Sequence, residues 1–578
     1  MNLKKWLCLW AALLPGLALH AQRREVSLTF LETTDVHGNY FPYDYLHGTP
    51  GKGSLARVAA YVKQVREARG RDGVVLLDNG DILQGQPSAY FYNFVDTTAR
   101  HVCADVLNFM GYDAAAVGNH DVETGHAVYD RWVAQCRFPL LGANVRRTSD
   151  GSPYWKPYTL MERRGVRIAV FGLITPGIPQ WLPRNLWSGL RFDDMVATAR
   201  RYMPEMRSRA DLVVGLFHSG VGQESDSTAG VENASLRVAR AVPGFDVIFC
   251  GHDHRRADRY VVCQQTGDSV LVLNPAAGAE AVARADFCLT YDGGRLVRKH
   301  VRGGIVGIDS LRPDAAFMAR FAPQADSVKA FTAQVVGHSA KHIDTRPAFF
   351  GPSAFVDFIH QLQLGISGAQ ISMAAPLSFA AEFPEGDIRV RDLFSLYQYE
   401  NQLYVLTLSG REIKDYLEYS YAHWTAQMKS ERDPLLLFRE GADTLAEGWQ
   451  RLLHPSYNFD SAAGLRYTVD VTKPAGRKIT IQGLADGSPF RPEAVYRVAV
   501  NSYRGNGGGG HLTEGAGIPA AELPGRIVWS TDKDLRFYLM EAIRRQGDIT
   551  PRALNYWKFV PEDWAAAAAR RDAARLFR

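Results

Sequence analysis

The chain has 578 residues, of which 46% are hydrophobic and 22% charged, an ordinary globular balance. At about 100–250 residues per domain, roughly two or three domains are expected. A formal net charge of +5 is small for this length; it permits anionic ligands and argues against binding of a nucleic-acid polymer.

The chain opens on a basic "MNLKK" followed by "WLCLWAALLPGLAL", an apolar run of 14 residues. "LHAQ" then offers Ala21 for cleavage before Gln22, with Leu19 an imperfect residue at the −3 position. Residues 1–21 therefore read as a secretory signal peptide, and the protein is expected to be exported, either to the periplasm or to the cell surface and medium. Fourteen apolar residues are short for a membrane span, which needs about 20, and no later segment approaches that length. The processed protein is expected to be soluble and monomeric. Of six cysteines, Cys8 lies in the signal segment, and the odd five that remain are expected to be buried free thiols.

From residue 25 to 312, strand-like apolar runs alternate with helical segments. The runs are "VSLTFLETTD", "GVVLLDNGD", "AAAVGNHD", "RIAVFGLIT", "DLVVGLFHSG", "DVIFCGHDH" and "SVLVLNPAAG". Continuous apolar strands followed by helices predict a layered α/β domain with buried sheets. Each run ends in Asp, Asn, His, Gly or Ser, where ligands gather in such sheets. Residues 313–335 read as a helical connector, with Pro313 at its start and Phe317, Phe321, Val328 and Phe331 on one face. The internal Pro323 is expected to kink or split it. A second α/β domain is expected over 336–550, from "FFGPSAFVDFIHQLQL" through "LYVLTLSG", "REIKDYLEYSYAHW", "LRYTVDVTK" and "KITIQG" to "YRVAVNSY". Residues 551–578 then form an Ala-rich helical tail.

Asp35 and His37 form a D-x-H pair after the first strand. Alone, such a pair arises by chance or as turn and cap residues. Asp81 closes "LDNGD", Asn119 and His120 stand in "VGNHD", His218 ends "VVGLFH", and His252 and His254 lie in "CGHDH". A lone histidine among these is more often a satisfied structural residue. Five strand ends carrying the same kind of ligand residue point instead to a metal site. Histidine with Asp and Asn suits divalent Mn, Zn, Fe or Co, and the absence of cysteine argues against structural zinc.

In order, these motifs resemble the calcineurin-like metallophosphoesterases. Residues "YNFDSAAGLRYTVDVTKP" and "YRVAVNSYRGNGGGG" resemble the C-terminal domain of the secreted 5′-nucleotidase family. The resemblance implies a four-layer αββα first domain joined to a substrate-binding second domain. It implies two divalent metal ions, one held by Asp35, His37 and His254, the other by Asn119, His218 and His252, with Asp81 bridging. A hydroxide between the ions would attack phosphorus in line with the leaving oxygen. By the same resemblance, His120 stabilises the transition state or protonates the leaving group, oriented by Glu123; Asp121 is the rival, although its place in "NHD" looks structural.

The resemblance also implies that the second domain clamps a nucleobase between two aromatic rings, with Asn119 reaching the substrate as well. Tyr503 and Phe459 are the expected rings, and Tyr457 competes for the place of Phe459. The loop "NSYRGNGGGGH" lacks the Lys and Ser/Thr of a P-loop, so it is expected to keep space around Tyr503 rather than to hold phosphate. Where 5′-nucleotidases carry "GG-x-R" this chain has "SMAAPLSF", without the arginine. That departure, with "ETTDVHGNY" and "DNGDILQG", looks closer to the 2′,3′-cyclic-nucleotide 2′-phosphodiesterase/3′-nucleotidases. Rival readings are a strict 5′-nucleotidase, an exported sugar or UDP-sugar phosphohydrolase, and a secreted binding protein with a dead site. The family likeness further implies rotation of the second domain about the connector.

Overall fold

A computed structural model describes residues 23–223, 230–397 and 399–577. The expected signal segment and Cys8 lie outside the described residues. Strand Arg24–Thr33 is central to a six-stranded sheet; it pairs parallel with Val74–Asp78 and antiparallel with Ala281–Asp292. Val74–Asp78 leads on to Ala114–Ala116 and Leu140–Leu141, all parallel. In a second six-stranded sheet, Leu212–His218 lies parallel between Val166–Ile174 and Val247–Cys250, and the last pairs parallel with Ser269–Asn274.

Alternation along these strands decides what each sheet faces. Phe30, Val75 and Leu77 from the first sheet meet Leu212, Val214, Leu216 and Phe249 from the second in one buried cluster. Burying each of these large side chains contributes roughly 1.5–3 kcal/mol. The intervening Leu31 and Leu76 point the other way, under helices Leu55–Arg69, Val102–Met110 and His126–Gln135. On the far side, Val213 and Phe217 meet helices Met195–Arg209 and Ser235–Ala241. The order is helix, sheet, sheet, helix, as expected from the four-layer family. Because the central strands within each sheet run parallel, their carboxyl ends share one rim, and the polar loops gather there.

The connector is a helix, Ala315–Thr332, and the expected split at Pro323 does not occur. Phe317, Phe321, Ala325 and Val328 are all buried against the first domain, so packing holds both sides of the proline in one helix. Its Phe331 reaches the neighbouring cluster with Tyr90 and residues of the second domain.

The second domain is built on a five-stranded sheet in the order Ser461–Ala463, Ile371–Ala374, Val495–Asn501, Leu403–Ser409, Ile527–Ser530. Helix Gly410–Trp424 starts on a capping box in which Ser409 Oγ accepts from Glu412 N and Glu412 Oε2 accepts from Ser409 N. The tail is not a separate appendage. Strand Trp557–Val560 joins Leu465–Asp470, and helix Glu562–Leu576 buries Ala565, Ala568 and Leu576 in the core of the second domain. Small alanines allow that close approach. Among the described residues five cysteines are free: Cys103, Cys250 and Cys263 are buried as expected, whereas Cys136 is half-buried and Cys288 exposed.

Candidate active site

The predicted ligands converge from both sheets onto the shared rim. Asp35, His37 and His254 form one group and Asp81, His218 and His252 a second, with candidate ligand atoms within 4.8 Å of one another in each. His254 Nε2 lies 3.0 Å from His37 Nε2 and 3.3 Å from Asp35 Oδ1. His218 Nε2 is 3.1 Å from both Asp81 Oδ2 and Asn119 Oδ1. The remaining ring nitrogens are tied back: His218 Nδ1 is 2.7 Å from the Asn79 carbonyl and His37 Nδ1 is 3.1 Å from the Gln84 carbonyl. Such bonds fix the tautomer of these two rings, leaving Nε2 of His37 and of His218 free to face a cation.

The backbone is strained where the ligands sit. Asp35, His37, Asp81, His252 and His254 adopt φ of 49°, 48°, 54°, 73° and 55°. Left-handed non-glycine residues cost roughly 1–3 kcal/mol each and collect at functional sites. Gly118 is required for a different reason: a Cβ there would lie 2.1 Å from Asp81 Oδ1.

The donor set fits divalent cations. Asp35 Oδ1 and Asp81 Oδ2 are buried without a hydrogen-bond partner, a state that demands compensation. Burial would raise the Asp35 carboxyl, but the neighbouring His254 ring and the His218 charge outweigh it and hold it down to about 2. Burial is likewise outweighed at Asp81 by His218 and His120, which hold its carboxyl well below the usual range. His37 is pushed down to about 4, by burial first and then by His254. Ionised carboxylates and a neutral imidazole are the forms that bind metal.

Asn119 opens the short helix Asn119–Glu123, which puts His120 and Glu123 on one face. His120 Nδ1 lies 2.5 Å from Glu123 Oε2. Burial would lower the His120 pKa, but Asp81 and Glu123 outweigh it and raise it to about 10. Asp121 is occupied otherwise: its carboxylate accepts from the backbone N–H groups of Gly118, Asp81, Ile82 and Leu83. It clamps the Asp81 loop to the Asn119 loop.

A cavity of about 350 Å³ opens beside these residues. Asn119, His120 and His252 line one part of it, and Tyr457 and Tyr503, from the second domain, line another. Phe459 does not reach it. Phe459 is 1% exposed and stacked on Trp424, with ring centroids 5.4 Å apart and planes 5° apart, so the expectation that Phe459 is a clamp ring is corrected. The turn Ser456–Asn458 sends Tyr457 outward and Phe459 inward. Gly508 makes room for the other ring, since a Cβ there would lie 2.6 Å from Tyr503 ring atoms. Arg504 joins the two loops by donating to Asp460 and to the carbonyls of Tyr457 and Gly508.

The profile of the calcineurin-like phosphoesterases matches residues 28–256, and that of the 5′-nucleotidase C-terminal domain matches residues 335–514. The chain belongs to the calcineurin-like phosphoesterases that carry a 5′-nucleotidase C-terminal domain. It is 27% identical to the trifunctional nucleotide phosphoesterase protein YfkN of Bacillus subtilis over 95% of this chain, and spans 40% of the length of that relative. It is 26% identical to a 2′,3′-cyclic-nucleotide 2′-phosphodiesterase/3′-nucleotidase of Haemophilus influenzae, over 94% of this chain and 89% of the relative. A 5′-nucleotidase precursor from Thermus thermophilus shares the fold, with a TM-score of 0.61 and 22% identity over 93% of this chain and all of that one. This calcineurin-like phosphoesterase is therefore a metal-dependent phosphoester hydrolase, and divalent ions are its cofactors.

Several site residues of this phosphoesterase escaped the sequence. Arg504 gave no signal apart from its place in the glycine-rich loop. Trp181 lines the cavity and stacks on His252 at 5.6 Å between ring centroids, while its carbonyl accepts from Asn506 Nδ2 of the second domain. Leu377, from the "SMAAPLSF" segment, supplies an apolar wall. Glu232 lines the cavity from a loop with no periodic pattern.

Proposed function

We propose that this protein is an exported nucleotide phosphohydrolase that works with two divalent metal ions and acts on 2′,3′-cyclic and 3′-nucleotides. The observation that carries the reading is the single cavity with His120 and candidate metal ligands in one part of its wall and Tyr457 and Tyr503 in another. Asp35, His37 and His254 would hold one ion and Asn119, His218 and His252 the other, with Asp81 between them. No Lys or Arg lines the cavity among the described residues, so the charge on a phosphate must be met by bound cations and histidine.

When bound, the ions activate water and offset the charge that builds on phosphorus. His120 supplies the complementary proton. With Nδ1 held by Glu123, the ring presents Nε2 to the leaving oxygen. For a 2′,3′-cyclic substrate, water adds to phosphorus, the bond to the 2′ oxygen breaks, and that oxygen takes the proton. Tyr457 and Tyr503 would hold the base by its faces, as stacking tolerates any base.

The relatives named as cyclic phosphodiesterases support the cyclic and 3′ preference, as does Leu377 in the segment where an arginine would otherwise stand. A strict 5′-nucleotidase is the second reading, favoured by the profile over residues 335–514. The test is turnover with Mn²⁺ or Zn²⁺ of 2′,3′-cyclic AMP, 3′-AMP, 5′-AMP, UDP-glucose and an aryl phosphate. The cyclic and 3′ substrates are expected to give the highest kcat/KM. Turnover of the aryl phosphate with no nucleotide hydrolysed overturns the proposal.

A further inference from the structure

Glu232 is placed with care by its own loop. It lies between strand Leu212–His218 and helix Ser235–Ala241. Its carbonyl accepts from Ser219 Oγ at 2.8 Å, and Ser219 Oγ in turn accepts from Ala234 N at 2.8 Å. Asn233 Oδ1 accepts from Gly220 N at 3.1 Å. The residue is thus pinned to the turn that directly follows His218.

Its side chain is divided between two environments. Oε1 lies 2.8 Å from His252 Nε2, and Oε2 has no partner among the described residues. The side chain is 48% exposed, and it lines the cavity together with His252, Tyr457 and Tyr503. The carboxylate is near enough to both tyrosines to act on their hydroxyls electrostatically. Glu232 belongs to neither ligand group. Of the two carboxylates that line the cavity, Glu123 is committed to His120.

A carboxylate can only accept hydrogen bonds. Facing an anionic phosphate it would repel, so its place in the wall requires a donor. In a nucleotide held by phosphate near the histidines and by base at the tyrosines, the remaining part is the ribose, whose donors are its free hydroxyls: the 5′ hydroxyl in a 2′,3′-cyclic nucleotide, and the 2′ and 5′ hydroxyls in a 3′-nucleotide. We propose that Glu232 is a specificity residue that reads the sugar: Oε1 steadies His252 while Oε2 accepts a hydrogen bond from a ribose hydroxyl. This inference rests on the nucleotide reading above.

The experiment is calorimetric binding of adenosine, 2′-deoxyadenosine and 5′-deoxyadenosine to the metal-loaded wild type and to Glu232→Ala and Glu232→Gln, with bound metal quantified in each. A hydrogen bond from a hydroxyl to a charged acceptor corresponds to about tenfold or more in affinity. Wild type is expected to bind adenosine about tenfold tighter than one of the two deoxynucleosides. Glu232→Ala is expected to lose that difference by weakening adenosine alone, with metal content unchanged. Glu232→Gln keeps the shape and is expected to retain only part of it. If the variants discriminate as wild type does, or weaken all three nucleosides equally as metal is lost, Glu232 serves His252 alone and the inference fails. If wild type binds no nucleoside and hydrolyses no nucleotide, the nucleotide reading itself fails.

Discussion

Arg504 grips Asp460 through two hydrogen bonds, Nη2 to Oδ1 at 2.9 Å and Nε to Oδ2 at 3.0 Å, with both side chains almost fully buried. The remaining guanidinium donors reach the carbonyls of Tyr457 and Gly508 and the side chain of Asn458. One cation therefore sets the spacing between the loop that carries Tyr457 and the loop that carries Tyr503. Removing it leaves a buried carboxylate uncompensated, which costs about 3–5 kcal/mol. Arg504→Met is expected to lose that much in denaturant unfolding, and Arg504→Met with Asp460→Leu to recover most of it.

The two aromatic positions in "PSYNFD" separate cleanly. Tyr457→Ala and Tyr503→Ala are expected to raise KM for nucleotides about tenfold or more, at about 1–3 kcal/mol per stacked base, and to leave an aryl phosphate nearly unaffected. Phe459→Ala is expected to lower stability by about 3–5 kcal/mol without that selectivity, because it opens a hole beside Trp424. Selective loss of nucleotide KM in Phe459→Ala, with unchanged melting, would reverse the assignment.

His120→Asn is expected to reduce kcat by about 10²–10⁴ while bound metal stays near the wild-type level. Glu123→Gln should act in the same direction and more weakly, since it keeps a hydrogen-bonding partner for Nδ1. Metal analysis beside kinetics checks both. Loss of both ions in His120→Asn would make the histidine a ligand.

Chelation is expected to abolish turnover and to lower the melting temperature, with both restored by added Mn²⁺ or Zn²⁺. The native state binds the cations and the unfolded chain does not, so each tenfold increase of free metal above Kd adds about 1.4 kcal/mol. Asp35→Asn and Asp81→Asn remove the ionised oxygens and should blunt the stabilisation. A melting temperature indifferent to chelator and metal would refute the ligand assignment.

The convergence of the candidate metal ligands was legible because each stands at the carboxyl end of a strand in an α/β run, where topology alone brings side chains together. The Asp121–Glu123 choice was open in the sequence, since both lie one helical turn or less from the site. Hydrogen bonds separate them: Asp121 is spent on four backbone donors, leaving Glu123 for His120. Tyr457 and Phe459 could not be told apart, because a single turn has no period from which to read inward and outward faces. Arg504 and Glu232 were hidden for a related reason. Asp460 lies 44 residues from Arg504 and His252 lies 20 from Glu232, across loops in both cases, and neither position carries a pattern of its own. Pro323 does not split the connector because the buried phenylalanines around it hold both sides in one helix.

The burial of Ala565, Ala568 and Leu576 has a bearing on how the molecule is made. A chain delivered from its N-terminus, by a ribosome or through a membrane pore, can complete the first domain once residue 332 is free, since the covering helix ends there. The second domain must wait for its last helix, because that helix is part of its core. For a time during synthesis the half that carries the candidate metal ligands stands finished without the half that carries Tyr457 and Tyr503.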